Sequence, residues 1–494
     1  MTDVKPTSDG LDELRALSSL IQDSIEKISG VLSSTGKTFP STHGGLSMSA
    51  ESVRSVPEIA SASAIGCAAA TQLLAVLGGP MNTLIRAAMS GPVVSSLNAV
   101  SEANVAEALR EAGPQGAHAK DLAKARGVDA GKLARIMRLL ALNHIFVEKA
   151  PDVFAHNTAS ALLDTGKSVE ALRQSPGTKH NDTLGIAAII ELCTGEQLKA
   201  LSYLPDVLLD PKRTSSGEVN ETAFNAAFKT TISAWDYFEL PENSAALARM
   251  TKGMEAGKRI APPDAILRGY GWEKLPEGAI VVDVGGGVGT QSKKIAAKCP
   301  GLKFVVQDRE PVVKAAEQFW ADIPDAVPSG RVILQGTSAG TSTASFVTDS
   351  KSPAHDFFTP QPQKNARVFI LGAVLHDWSD DYALKILKPL REAATPETEL
   401  VVVDSLLQYL ADDSNVADIP GSEREKPPAP LLPALDTMSY AGDIMMLSMF
   451  NGTERTISQF RDLLAKAGWR VTRVHHGAGL TQVLGVQKVI AVPI

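Results

Sequence analysis

Residues 281–310 read VVDVGGGVGTQSKKIAAKCPGLKFVVQDRE, and no other stretch narrows the possible folds so far. An apolar run ends at Asp283-Val284, a glycine cluster follows, and a helix-like segment leads to a second apolar run that closes on Asp308. Glycine lets the backbone turn sharply and lets a ligand approach with no side chain in the way. A carboxylate closing the next strand can accept bonds from both hydroxyls of a ribose. The layout is strand, loop, helix, strand, acid, and it suits a nucleotide-like ligand. A dinucleotide site needs GxGxxG. Counted from Gly285 the third glycine position holds Thr290, and counted from Gly287 it holds Ser292. The loop is GxGxG, through Gly285, Gly287 and Gly289, and the miss argues against NAD and FAD.

The pattern continues to the C-terminus. From residue 279 the runs AIVVDV, LKFVVQ, RVILQ, ARVFIL and ELVVVDSLL alternate with helix-like segments. Parallel strands covered on both faces read as such continuous apolar runs, so residues 276–494 are expected to form a doubly wound α/β domain. QVLGVQKVIAVPI adds a late strand or hairpin. Residues 409–433 are acidic and proline-rich and read as a surface insertion.

The remaining chain is helical in pattern. Leu14, Leu17, Ile21, Ile25, Ile28 and Leu32 lie at three- and four-residue steps, one apolar stripe on a helix. A Ser/Thr/Gly/Pro-rich segment, 33–57, then reads as a linker or mobile arm, so residues 1–57 are taken as a helix and flexible linker. Residues 59–85 carry no charge and are long enough to span a bilayer. They are built from Ala, Ser, Thr and Gly with Gln72, Pro80 and Asn82, which favours a buried helix broken at Gly78-Gly79-Pro80, as interior or subunit-interface material. In 116–157, AKDLAKARGV, DAGKLARIMRLLALN (capped by Asp129) and HIFVEKAPDVFAHN give two helices and two strands. That is a winged-helix outline, placed in a domain spanning 58–165. Lys132, Arg135 and Arg138 could meet DNA phosphates. A net charge of −7 over 494 residues argues instead for a winged helix used in protein packing. Residues 166–275 read as helices whose aromatic and methionine residues are mostly core. Cys67, Cys193 and Cys299 make neither a disulfide framework nor a metal spacing, and the polar N-terminus is not a signal peptide. Both point to the cytoplasm.

Two further segments follow the glycine loop in order: HDFFTPQP from His355, and VFILGAVLHDWSDDYALKILKPLREA from Val368. Together with the loop they resemble the S-adenosylmethionine-dependent O-methyltransferases of the plant caffeate type and their fungal relatives. The likeness is most specific over 280–407, returns at 442–469, and extends loosely to the winged helix, which serves that family as a dimerisation domain. The resemblance implies a Rossmann-like methyltransferase domain, S-adenosyl-L-methionine as cofactor and a homodimer. It places Gly285, Gly287 and Gly289 under the methionine part of the cofactor, Asp308 at the ribose, and Asp356 and Phe357 at the adenine. It makes His376 the general base, with Asp404 and Glu454 as the carboxylates that orient and polarise it. This chain departs from the family at Gly372, four residues before the histidine, where relatives commonly carry Lys or Arg.

The chemistry fits those residues. A phenol, with a pKa near ~10, is mostly protonated at neutral pH, and a histidine can take the proton as methyl transfer begins. Such help is typically worth ~10²–10⁴-fold. A carboxylate behind the ring fixes the tautomer. No metal is required, and the sequence offers no ligand cluster for one. Taken singly, the residues have plainer explanations. Ser379 or Asp380 could simply cap a helix, Asp404 could end a strand, and Glu454 could pair with Arg455. The expected activity is methyl transfer to the hydroxyl of a small aromatic molecule. The alternatives are transfer to an amine nitrogen, or a winged-helix DNA-binding protein that senses the cofactor.

Overall fold

The computed structural model describes residues 10–42, 44–260, 262, 264–323, 325–337, 355–435, 437–477 and 487–494. The N-terminal segment 1–9 and the first half of the last apolar run, 482–486, lie outside them.

A small three-stranded antiparallel sheet comes first, formed by β1 (Ala117–His118), β2 (Val147–Ala150) and β3 (Val153–Ala155) in the order β1-β3-β2. The expected second helix of the winged-helix outline is Ala130–Leu142, and the Asp129 carboxylate accepts the Lys132 N–H at 2.8 Å as its cap. Arg138 on this helix is held by Glu148 and Asp152, each at 2.7 Å, so its charge is already engaged within the fold.

A seven-stranded sheet carries the rest. Its strands are β4 (Ile280–Val284), β5 (Lys303–Arg309), β6 (Val332–Thr337), β7 (Ala366–Gly372), β8 (Glu399–Val403), β11 (Trp469–His475) and β12 (Lys488–Pro493). They are ordered β11-β12-β8-β7-β4-β5-β6, with β12 antiparallel to both its neighbours and the other six strands running in one direction. Successive side chains of a strand point to opposite faces, and here both faces are buried. Val282, Val284, Val305, Phe369, Leu371, Leu400 and Val402 pack against helices Asp380–Ala393 and Ile457–Lys466. Val281, Phe304, Val306, Val368, Ile370, Val401 and Val403 pack against Trp272, Trp320 and helix Thr290–Lys298. That is why the runs are apolar without alternation. The chain moves outward from β4 through β5 to β6, then returns to the other side of β4 as β7. The crevice beyond the ends of β4 and β7 is therefore the topological switch point, where open α/β sheets bind ligands.

Two remaining strands form a separate parallel pair, β9 (Leu406–Leu407) with β10 (Arg455–Thr456). The 409–433 insertion between β9 and helix Met438–Phe450 lies along β11, the edge strand. The Pro420 carbonyl accepts the Val474 N–H at 2.9 Å, and the Pro430 carbonyl accepts from Gln72 at 3.1 Å. Unpaired backbone groups of an edge strand are thereby covered.

The N-terminal helices correct one expectation. Helix Pro57–Ala88 is interrupted at Gly79 (φ 71°, ψ 174°), but much of its apolar surface is left uncovered by the described residues. Ile59, Ala62 and Ala69 are buried, and Gly66 lets the helix approach Ser24 of helix Gly10–Thr35. Leu77, Met81 and Leu84 are 67%, 70% and 69% exposed. In the Leu14–Leu32 stripe Leu17 is buried, whereas Ile25 faces outward, where it lines a groove with Ile28, Leu32 and Phe39. The 33–57 segment has local order: Ser47 caps helix Met48–Glu51, and Arg54 stacks over Phe39 and reaches the Pro40 carbonyl.

Candidate active site

The glycine loop leaves β4 in left-handed backbone, with φ of 67° at Gly285, 63° at Gly287 and 84° at Gly289. A Cβ at 285 would stand 2.8 Å from Val374, and one at 289 would stand 2.9 Å from Trp320. The loop therefore requires glycine for conformation and for space. Asp308, at the end of β5, accepts the Gly287 N–H at 2.7 Å through one oxygen and the Arg309 N–H at 2.7 Å through the other. Buried Asp283 accepts the Ser292 hydroxyl at 2.6 Å, fastening the helix that follows.

Asp356 and Phe357 sit on a loop fastened by a buried amide network that the sequence did not reveal. Gln307, one residue before Asp308, donates to Gln335 and Gln361, both at 2.9 Å, and Gln361 returns a bond to Gln307 at 3.0 Å. Gln361 also meets His355 at 3.3 Å, whose pKa burial holds below its usual value. Phe357 packs edge-on against Phe358 and Trp378, with centroids 4.8 and 5.9 Å away. Since Trp378 follows the next segment's His376-Asp377, the two loops are packed together.

His376 lies on the 3-10 turn Leu375–Asp377 just beyond β7, reached through Ala373 at φ 54°. Its Nδ1 is 2.7 Å from Glu454 Oε1, and its Nε2 is 3.5 Å from Asp377. The parallel pairing of Leu406 with Arg455 brings Glu454, just before β10, close to Asp404, two residues before β9, and both act on His376. Asp404 is 4% exposed, and neither of its carboxylate oxygens has a hydrogen-bond partner among the described residues. Burial opposes charge on the imidazole, but Asp377, Glu454 and Asp404 outweigh it and push the His376 pKa up to about 10. Burial raises Asp404 in turn, against the pull of His376.

The alternative pairing of Glu454 with Arg455 is not formed. Arg455, 1% exposed, donates to the carbonyls of Leu375 (2.7 Å) and Trp378 (2.8 Å) and to Asp380 (2.9 Å). It grips both ends of the turn that carries His376. Ser379 occupies the N-cap position of helix Asp380–Ala393, yet its hydroxyl donates to the Gly217 carbonyl at 2.9 Å rather than capping. Thr453 N–H donates to the His376 carbonyl at 2.8 Å, and a Cβ at Gly452 would stand 2.2 Å from that oxygen. Asp443 fixes the Glu454 backbone N–H at 2.8 Å. Of these supporting residues, Asp377, Asp443, Gly452 and the role of Arg455 were missed: Gly452 and Arg455 act across long sequence separations, and Asp377 adjoins His376 with no local pattern to mark it. Met446, Met449 and Phe450 pack with Phe224, Phe238 and Met250 into one cluster beside this turn, and Trp235 stacks on Phe450 at 4.7 Å. Among the described residues no group of three or more His, Cys, Asp or Glu is arranged to hold a metal ion.

Sheet order and switch-point site define a nucleotide-type α/β enzyme. Comparison with known proteins makes this specific: the O-methyltransferase domain profile matches residues 208–330 and 343–470. The chain is 40% identical over 469 residues to an O-methyltransferase of Armillaria gallica, covering 94% of this chain and 95% of that one. It is 38% identical over 487 residues to 4-O-methyltransferase 1 of Phanerochaete chrysosporium, covering 97% and 99%. Among solved structures it resembles OxaC in complex with SAH and oxaline, with a TM-score of 0.64, 20% identity and coverage of 97% and 100%. The chain belongs to the S-adenosylmethionine-dependent O-methyltransferase family.

Proposed function

We propose that this enzyme methylates a phenolic hydroxyl of a small aromatic molecule, with His376 as the general base. The carrying observation is the 2.7 Å contact between His376 Nδ1 and Glu454, which orients the ring and leaves Nε2 for the acceptor's proton. Gly285, Gly287 and Gly289 would hold the methionine part of S-adenosyl-L-methionine, Asp308 the ribose, and Asp356 and Phe357 the adenine. The fit is supported by the positive φ of all three glycines, and by the space at 285 and 289, where a side chain would meet Val374 and Trp320 respectively. The cofactor supplies an electrophilic methyl on a sulfonium whose leaving group is a neutral thioether.

His376 then has one task, to hold the acceptor's proton. An imidazole raised to about 10 matches a phenol of pKa ~10, so the transfer between them is close to balanced. Glu454 keeps the Nδ1 proton in place, and Asp404 and Asp377 stabilise the imidazolium that forms. Arg455 and Gly452 hold the turn, so positioning adds to the basic help. The relative named 4-O-methyltransferase 1 supports an oxygen acceptor. Leu77, Met81 and Leu84, exposed on the two sides of the break at Gly79, support a homodimer that buries them, since exposed large apolar side chains grouped in this way mark an interaction surface. We place the enzyme in the cytoplasm, and we assign the winged helix, within a domain spanning 58–165, to dimerisation.

The test is transfer of labelled methyl to a panel of phenols and arylamines, run beside His376→Ala. Transfer to phenols that falls ~10²-fold or more in the variant supports the reading. Transfer confined to amines and untouched by the substitution would replace it with nitrogen methylation.

A further inference from the structure

Gly372 breaks the family pattern, and the structure shows what fills the space. Gly372 ends β7, and Gln291 is the second residue of helix Thr290–Lys298, directly after the glycine loop. A Cβ at 372 would stand 2.7 Å from both the oxygen and the nitrogen of the Gln291 carboxamide. The amide thus lies on bare backbone, in a position open to it only because residue 372 has no side chain. Its Oε1 is shut off from solvent and has no hydrogen-bond partner among the described residues. A buried carbonyl oxygen without a donor is uncommon in a folded protein and calls for an explanation.

We infer that the Gln291 carboxamide oxygen accepts a hydrogen bond from the α-ammonium of the cofactor's methionine part, from the space that a side chain at 372 would otherwise fill. The sheet order separates the candidates. Asp308 ends β5, on one side of β4, and Asp356 is tied to that same side through Gln361 and Gln307. Gln291 meets β7, on the other side of β4. The ribose hydroxyls and the adenine amine fall to the β5 side, which leaves the ammonium as the donor for an acceptor on the β7 side. An amide oxygen suits a cation, whereas a lysine or arginine at 372 would meet it with like charge.

This inference rests on the cofactor placement proposed above, and calorimetry separates the two. S-adenosylhomocysteine and its analogue with hydrogen in place of the α-amino group are titrated into the full-length enzyme. Gln291→Leu is expected to weaken S-adenosylhomocysteine about 10-fold or more and the deaminated analogue less than about 2-fold. Gln291→Glu keeps the shape and is expected to retain or tighten binding of the amino ligand alone. Equal losses for both ligands in Gln291→Leu, or no loss for either, would overturn the inference. Asp308→Ala serves as the control: if it leaves binding of both ligands intact, the cofactor placement itself is wrong.

Discussion

Replacing Glu454 by Gln tests the arrangement at its most exacting point. The side chain is 8% exposed and stands 2.7 Å from His376 Nδ1, so its charge acts at short range with little screening. Opposite charges this close move a pKa by ~1–3 units, each unit worth about 1.36 kcal/mol. Two carboxylates, Asp377 and Asp404, remain beside the ring in the variant. We therefore expect the His376 pKa to fall by ~1–2 units from about 10. At pH 7.5 a larger fraction of the imidazole is then neutral, which favours rate. Two losses oppose this. The base is weaker, and a glutamine can turn its NH₂ towards Nδ1, which shifts the ring proton to Nε2 and blocks it. In related geometries the tautomer loss dominates, so kcat/KM at pH 7.5 should fall ~10²-fold or more. The assay is a pH profile of kcat/KM for labelled methyl transfer between pH 6 and 10.5. In the parent, activity should climb towards alkaline pH as His376 gives up its proton, and in the variant the climb should begin at lower pH. Stability moves with it. A folded pKa above the ~6.5 of an unfolded histidine stabilises the fold fully below that value, and the contribution is lost as pH rises through about 10. The Tm deficit of Glu454→Gln should therefore be largest below pH 6.5 and shrink towards pH 10. A variant that folds and binds S-adenosylhomocysteine normally, yet keeps the parent's pH profile, would refute the reasoning.

Arg455→Lys should lose about 3 kcal/mol in denaturant unfolding, because a single ammonium cannot serve two carbonyls and Asp380 together. Its kcat should fall further than its affinity for S-adenosylhomocysteine, read by calorimetry. Asp404→Asn removes a buried carboxylate that lacks hydrogen bonds, so thermal melts should show a gain of about 1 kcal/mol at pH 8 while kcat falls about 10-fold. Leu77→Glu combined with Met81→Glu should convert a dimer to a monomer in light scattering, and a dimer that persists would send the interface elsewhere.

Much of the sheet was legible because its central strands present two buried faces, and Val281–Val284 or Val368–Leu371 can hardly be read otherwise. The glycine loop was legible for a different reason: its spacing is a backbone requirement written directly in residue type. Glu454 shows where local reading fails. Arg455 is its neighbour in sequence and an obvious partner, yet consecutive side chains of an extended segment point to opposite sides. Glu454 therefore meets His376 while Arg455 turns to Asp380, pairings across 78 and 75 residues that no local pattern encodes. The Gln307–Gln335–Gln361 network was hidden in the same way, since glutamine in an apolar run usually signals an edge rather than a buried tie. For helix Pro57–Ala88 the sequence left interior and subunit interface both open, for yet another reason. Its composition specifies a surface that avoids water but not what covers it, and among the described residues nothing covers Leu77, Met81 and Leu84.

The three carboxylates pose a difficulty for a general base, because a histidine at about 10 is protonated at neutral pH and so cannot accept a proton. The difficulty eases once charge is counted for the loaded enzyme. S-adenosylmethionine brings a sulfonium cation, and S-adenosylhomocysteine does not. A second positive charge in a site of low dielectric disfavours the imidazolium, so His376 should release its proton more readily with the first ligand than with the second. On the proposed role, the high pKa would keep the imidazolium paired in the resting enzyme, and the base would become available when a methyl donor is present. The consequence is measurable at pH 8 by calorimetry in buffers of different ionisation enthalpy. Binding of S-adenosylmethionine should release a substantial fraction of one proton, S-adenosylhomocysteine distinctly less, and His376→Gln should abolish the difference. Equal proton release by both ligands would mean that the sulfonium does not sense His376, and that the neutral base must be generated by the acceptor's own arrival.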